Sequence, residues 1–525
     1  MSVISDFFHA YGLLVASVIP ILWLVLTLGT SALRAHTASL TTWALTVVIA
    51  LTAFGQNPVD VAGATLEGIV FGFFPILWVI IAAIYTYKLS LHTGAMAKIR
   101  AQLSGISEDP RIQVLILAWG FGGFLEAVSG YGTSVAIPAG ILIAFGFEPI
   151  FAAVICLLAN TVPTAFGAVG IAVTTLARVT DLPVADLSWT IALQLSPFIL
   201  LMPFVLVLVT ARSLKGMRGV WGVTFVSALS FVVPQLLAAR FLGEMLPTLV
   251  GSLCSMGSTI LYVRAFHSRT EKYAESKRQA EKTPVGAKRF AGFLEAFNPW
   301  LPYSFLIVLI LLASPLFPSI SHALGQAKSS LLLYPGKGGS PLVIKWLSTP
   351  GTLIFAAAVL GSLLQGVKPI LLVTAMKDTV SQMKFSILTV TCIVAVAKVM
   401  GYSGMVNTLA LTLAGATGGV FPLLSPFIGM LGTFITGSDT SSNVLFGSLQ
   451  TQVARNIGVS PVWLAAANTA GATAGKMISP QSIAVATAAA GLTGMEGKIF
   501  RKTVAYAAFY IVILGLGIWA GSVLL

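Results

Sequence analysis

Charge is what this chain has least of: 9% of its 525 residues are Asp, Glu, Lys or Arg. Soluble domains carry roughly 25%. With 57% hydrophobic side chains, that scarcity excludes an ordinary soluble core and makes the chain an integral membrane protein. Cysteine is nearly missing too. Cys156, Cys254 and Cys392 stand singly in apolar stretches, without C-x-x-C or ligand spacing, so neither a disulfide framework nor a metal site is expected. The five histidines are scattered, and no H-E-x-x-H is present. "YPGKGGS" at Tyr334 lacks the full G-x-x-x-x-G-K-[ST] of a phosphate loop, so ATP drive is not expected. These gaps leave no enzyme chemistry and no cofactor in view. The start, "MSVISDFFHA", lacks the basic n-region of a cleaved signal, so the first helix is expected to be kept.

What is there instead is apolar length. Runs such as 13–28, 191–209 and 505–525 are each long enough to cross a hydrocarbon core of about 30 Å as a helix. The reading is an all-α polytopic membrane protein with about twelve transmembrane helices plus two re-entrant helical hairpins. The net charge of +13 gathers in short loops between apolar runs, the pattern of cytoplasmic retention, so its partner is the bilayer and not nucleic acid. Basic groups at 88–111, 212–218, 264–290, 368–384 and 498–502 all fall inside only if 111–149 and 422–455 each enter and leave by one face. Those two segments are the hairpin candidates.

The chain divides into repeat 1 over 1–210, a two-helix connector with a basic loop over 211–299, and repeat 2 over 300–525. "GGFLEAVSGYGTS" at Gly122 is similar to "GTFITGSDTSSN" at Gly432, and "ANTVPTAFG" at Ala159 to "ANTAGATAG" at Ala467. The hairpins enter from opposite faces, which makes the repeats inverted, a plan common in secondary transporters.

Polar islands sit inside these apolar stretches. An ionised acid at the bilayer centre costs about 2.5–3.5 kcal/mol on insertion scales, so it usually faces a partner or a pathway. Glu126 and Asp439 are the candidate proton-coupling acids; the plainer readings are a structural hydrogen bond for Glu126 and an N-cap for Asp439. Lys476 meets an anionic substrate, neutralises one of those acids, stands where a coupling cation would sit, or snorkels. Lys398, near a span end, is expected to snorkel. Around the acids lie Tyr131, Gly132, Thr133 and Ser134 in the first island, and Ser438, Thr440, Ser441, Ser442 and Asn443 in the second. Asn160 with Thr161 and Asn468 with Thr469 form symmetric polar pairs that join helices or touch ligand. Helix-end amides at the two hairpin tips suit a carboxylate.

Three segments, "FLEAVSGYGTSVAIPA", "GSDTSSNVLFGSLQ" and "GKMISPQSIAVATAA", resemble signature stretches of the bacterial lactate permease family, in order and over nearly the whole chain. The resemblance implies proton-coupled uptake of lactate, glycolate and related short 2-hydroxymonocarboxylates. It further implies a multi-pass protein of the bacterial inner membrane, on the plan of the ion transporter superfamily, with paired hairpins around the substrate. With the loop assignment, both termini are expected in the periplasm. The substrate would lie among the residues named above, with Tyr131 reading the 2-hydroxyl. A homo-oligomer is compatible with this plan. A sodium-coupled carboxylate symporter and a cation/proton antiporter remain the alternatives on the same architecture.

Overall fold

The computed structural model describes residues 2–29, 33–104, 106–130, 132–266, 297–313, 317–336, 339, 341–492 and 495–524. Among them the chain is almost wholly helical, and proline at the first helical position opens many helices, including those at Pro58, Pro110, Pro149, Pro350 and Pro461. A helix start has no use for the missing N–H, and the fixed φ is already helical.

Among the described residues, eight helices are long and apolar enough to cross a membrane, or up to ten if two sharply bent pairs are each counted as one span. Four shorter apolar helices, Gly12–Leu24, His36–Thr52, Thr133–Ala144 and Pro350–Leu364, accompany them.

The first hairpin climbs from Pro110 to Val128, turns through Gly130 (φ +59°) and Gly132 (φ +80°), and descends as Thr133–Ala144. Its ascending arm runs as a π-helix from Val114 to Phe121, a widened winding often found at functional sites. The second hairpin climbs through Phe421–Thr436, turns at Gly437 (φ +69°) and continues as Asp439–Ile457. Glycine holds these turns because a side chain at positive φ is strained.

Each hairpin is followed by a broken helix. The first comprises Pro149–Ala159 and Pro163–Thr180, bent by 57°. Inside it Ala168 (φ +43°), Val169 (φ +57°) and Gly170 (φ +71°) form a left-handed turn. For the β-branched Val169 that conformation is an outlier, sustained by burial on every side. The second broken helix, Pro461–Ile478 followed by Pro480–Ala490, is interrupted at Ser479.

Small residues set the packing. A Cβ on Gly471 would collide with the Pro426 carbonyl, and one on Gly475 would come within 2.9 Å of the Phe434 amide nitrogen. The second hairpin and the second broken helix therefore meet backbone to backbone.

Three features differ from the sequence expectation. Met405–Thr417, just ahead of the hairpin expected over 422–455, is a helix leading into the hairpin's first arm. Its Gly- and Thr-rich sequence dilutes the apolar signal. Strands β1 (Lys328–Leu331) and β2 (Leu342–Lys345) pair antiparallel around the "YPGKGGS" loop, with Lys328 opposite Lys345. Lys398 does not snorkel: its Nζ lies 2.6 Å from buried Glu67, whose carboxylate also accepts from Tyr402 Oη at 3.0 and 3.1 Å. The basic loop at 267–296 lies outside the described residues.

Candidate substrate site

The two hairpin tips and the two helix breaks line a cavity of about 410 Å³. The first hairpin contributes Glu126, Gly130 and Gly132, and the second contributes the run from Thr436 to Ser441. The first broken helix brings Thr164, Gly167, Ala168, Ile171 and Ala172; the second brings Lys476, Gln481, Ser482 and Val485. Ser386 and Thr389 reach it from the long helix Pro369–Ser403. Non-helical backbone at membrane depth persists only where protein or an aqueous cavity shelters it, and the described backbone of both tips lies against this cavity.

Three charged side chains face this space. Glu126 is 3% exposed and its Oε2 accepts from Ser134 Oγ at 2.5 Å. Its Oε1 lies against Gly167, where an added Cβ would approach to 2.6 Å. Asp439 is 4% exposed, and its Oδ1 accepts from Thr433 Oγ1 at 3.1 Å. Among the described residues nothing bonds its Oδ2. Lys476 Nζ donates to the Gly437 carbonyl at 3.0 Å, where the first arm of the second hairpin ends. Lys476 and Glu126 both act on Asp439 through space, the one attracting and the other repelling its negative charge.

The N-cap of helix Asp439–Ile457 is Ser438, whose Oγ accepts from the Ser441 amide at 3.3 Å, so the capping role weighed for Asp439 belongs to its neighbour. Asp439 occupies the first turn, where a carboxylate favours the helix dipole. The first amides of a helix lack intrahelical partners, so this end offers donors to an anion.

Of the residues singled out from sequence, Gly132, Ser438, Thr440, Ser441 and Lys476 line the cavity together with Glu126 and Asp439. Others stand behind it. Thr133 Oγ1 donates to the Gly130 carbonyl at 2.8 Å, and Ser134 holds Glu126. Ser442 Oγ donates to the Gly429 carbonyl at 2.8 Å. Asn443 Oδ1 accepts from Asn468 Nδ2 at 2.9 Å and Thr469 Oγ1 at 3.0 Å, while its Nδ2 donates to the Ala172 carbonyl at 3.0 Å. Gln450 Nε2 extends that network to Asn468 Oδ1 at 3.2 Å. Asn160 Nδ2 donates to Thr164 Oγ1 at 3.2 Å, and Thr161 Oγ1 to the Leu157 carbonyl at 3.2 Å. Tyr131 lies outside the described residues.

Sequence reasoning passed over Thr164, Gly167, Gln481 and Ser482 among the lining residues. "SPQS", just beyond Lys476, carried a signal for the last two, since Pro480 ends one helix and begins the next. It also passed over Glu244, in the turn between helices Trp221–Phe241 and Pro247–Phe266. Burial pushes that carboxyl up from its ordinary range, while backbone and Thr174 hydrogen bonds and the charges of Arg178 and Lys345 oppose the shift. Among the described residues, no group of three or more His, Cys, Asp or Glu is arranged to hold a metal.

Helices long enough to cross a membrane, broken in pairs around a cavity that holds two acids and a lysine, define a membrane transporter. The chain belongs to the L-lactate permease family, whose profile matches residues 13–525. It is 44% identical to the L-lactate permease of Streptococcus iniae over 86% of this chain and 93% of that protein. It is 36% identical to the glycolate permease GlcA of Escherichia coli K12, over 95% of this chain and 94% of that one. The L-lactate permease of Bacillus subtilis 168 is 34% identical over 95% and 94%. Among solved structures, MtrF of Neisseria gonorrhoeae, described as one of a class of antimetabolite efflux pumps, aligns over 92% of this chain and 94% of its own at a TM-score of 0.48 and 13% identity.

Proposed function

We propose that this protein carries lactate, glycolate and related short 2-hydroxymonocarboxylates into the cell in symport with a proton, across a bacterial inner membrane with both termini in the periplasm. Relatives that carry the names L-lactate permease and glycolate permease support the substrate class. The observation that bears most of the weight is Asp439, buried with one oxygen unpartnered, in the same cavity as Lys476 and Glu126. A desolvated carboxyl holds a proton when its surroundings do not stabilise the charge, and releases it when water or a cation arrives.

In this reading the substrate carboxylate meets the amides of the second tip, the Ser441 hydroxyl and Lys476. The 2-hydroxyl pairs with a polar group of the first tip, so leaving it out strands a buried partner and separates lactate from propionate. The proton rides on Asp439 or Glu126. Ser134 and Thr433 hold those carboxyls in place without filling all their lone pairs.

Lys476 also bears on the sodium alternative. The C-terminal end of a half-helix is where a transporter holds a coupling cation, and here the ammonium sits on the Gly437 carbonyl. A tethered cation there favours proton coupling over sodium. The division into inverted repeats over 1–210 and 300–525, joined by 211–299, draws support from a shared pattern. Ala168 packs beside Gly130 much as Lys476 bonds Gly437, so each tip faces the break of the helix that follows it.

The test is uptake of labelled L-lactate into liposomes holding the purified protein. An inward proton gradient drives accumulation that excess glycolate competes away, and a sodium gradient alone drives none. Sodium-driven accumulation at equal pH would overturn the coupling.

A further inference from the structure

A second cavity, of about 560 Å³, lies at the far end of the two helices that carry the substrate site. Helices Gly167–Thr180 and Asp439–Ile457 begin at the first cavity and end at the second. They are fastened side by side by Asn443 on the Ala172 carbonyl and by Ser448 Oγ on the Val179 carbonyl at 2.7 Å. From Ala172 to Arg178, or from Ser441 to Ser448, the separation along either helix is about 10 Å at 1.5 Å per residue.

The lining of this cavity is basic. Arg178 and Arg455 come from the last turns of those helices, Lys345 from β2, and Lys398 from the long helix. Lys398 is neutralised by Glu67. Among the described residues, no carboxylate is in ion-pair contact with Arg178, Lys345 or Arg455, although Asp181 lines the same space and Glu244 acts on Arg178 and Lys345 from further off. The two arginines suit the negative ends of their own helices. That does not account for Lys345, which a strand from a distant part of the chain delivers to the same hollow. Gln452, also on the wall, leaves its Oε1 buried and unbonded, an acceptor free for a hydroxyl.

We infer that this second cavity is a capture site for small hydroxycarboxylate anions, in which Arg178, Lys345 and Arg455 hold the carboxylate before it moves along the two helices to the central cavity. Guanidinium forks match a carboxylate in two parallel hydrogen bonds. A cleft in which one sign of charge is in excess, as the four cations are here over Glu67 and Asp181, concentrates the opposite ion and speeds its arrival, an effect that salt weakens. The inference rests on the carboxylate-transport reading, and it adds a second binding station to it.

Two measurements test it. In proteoliposomes, Lys345→Gln combined with Arg455→Gln raises KM for L-lactate about fivefold or more, the range expected for lost steering, and flattens the fall of kcat/KM with ionic strength. Arg240→Gln removes a cation that stacks on Trp189 outside the cavity, and it leaves KM and the salt dependence as they are. On the wild-type protein, modification of Arg178 and Arg455 by phenylglyoxal, read by mass spectrometry, is slowed by L-lactate and not by uncharged 1,2-propanediol. Protection without any lactate transport supports this site and removes the transport reading. Lactate transport with no protection, and with KM and salt dependence unchanged in the double variant, removes this site and leaves the transport reading standing.

Discussion

At the scale of single residues, the site is an arrangement of charges that do not cancel. Asp439 has Thr433 on one oxygen and nothing on the other, Glu126 has Ser134, and Lys476 spends its proton on a backbone carbonyl. These three were legible in the sequence because a charge in an apolar run is conspicuous and costly. Ser134 was named beside Glu126, but Gly167 and Thr433 carry no signal until the fold brings them close. Gly167→Ala would press a methyl group against Glu126 Oε1. Lactate uptake is expected to fall about tenfold or more, as small displacements of a reacting group do, with expression and melting temperature near wild type. Asn443 is the converse case: the sequence offered it as a substrate contact, and in the fold its amide serves Asn468, Thr469 and the Ala172 carbonyl. Asn443→Ala is expected to cost about 1–3 kcal/mol of stability by stranding those partners, seen as a lower melting temperature in detergent. A raised KM with unchanged melting would mean that it touches substrate instead.

At the scale of elements, glycine and proline marked the breaks in advance. Gly130, Gly132 and Gly437 take positive φ at the tips, and Pro480 restarts a helix just past Lys476. The left-handed turn at Ala168–Gly170 left no trace in the sequence, because Ala and Val there read as ordinary helix. Helix Met405–Thr417 and strands β1 and β2 were also missed, being short or too rich in polar and small residues for hydropathy to register. The Glu67–Lys398 pair was illegible for another reason: the partners lie on helices far apart in the chain. Packing of the second hairpin on the second broken helix depends on glycine at 471. Gly471→Val is expected to destabilise the protein by about 1–3 kcal/mol through overpacking. Thermal unfolding in detergent reads this out, and an unchanged transition would show that the two helices are not held in close contact.

At the scale of the whole molecule, the hairpins and breaks collect polar backbone into one sheltered centre, and two parallel helices join that centre to the basic hollow. One proton carried with one monoanion moves no net charge. An uncompensated charge would feel about 2.3 kcal/mol per 100 mV. Lactate uptake is therefore expected to follow the pH gradient and to change little when potassium and valinomycin impose an inside-negative voltage; strong voltage dependence would require a different stoichiometry. The most direct measurement uses a pH-sensitive dye sealed inside liposomes bearing the purified protein. On addition of L-lactate, the lumen of wild-type liposomes acidifies in step with labelled uptake, and Asp439→Asn or Glu126→Gln abolishes that acidification. Acidification that persists unchanged in both variants would contradict the account.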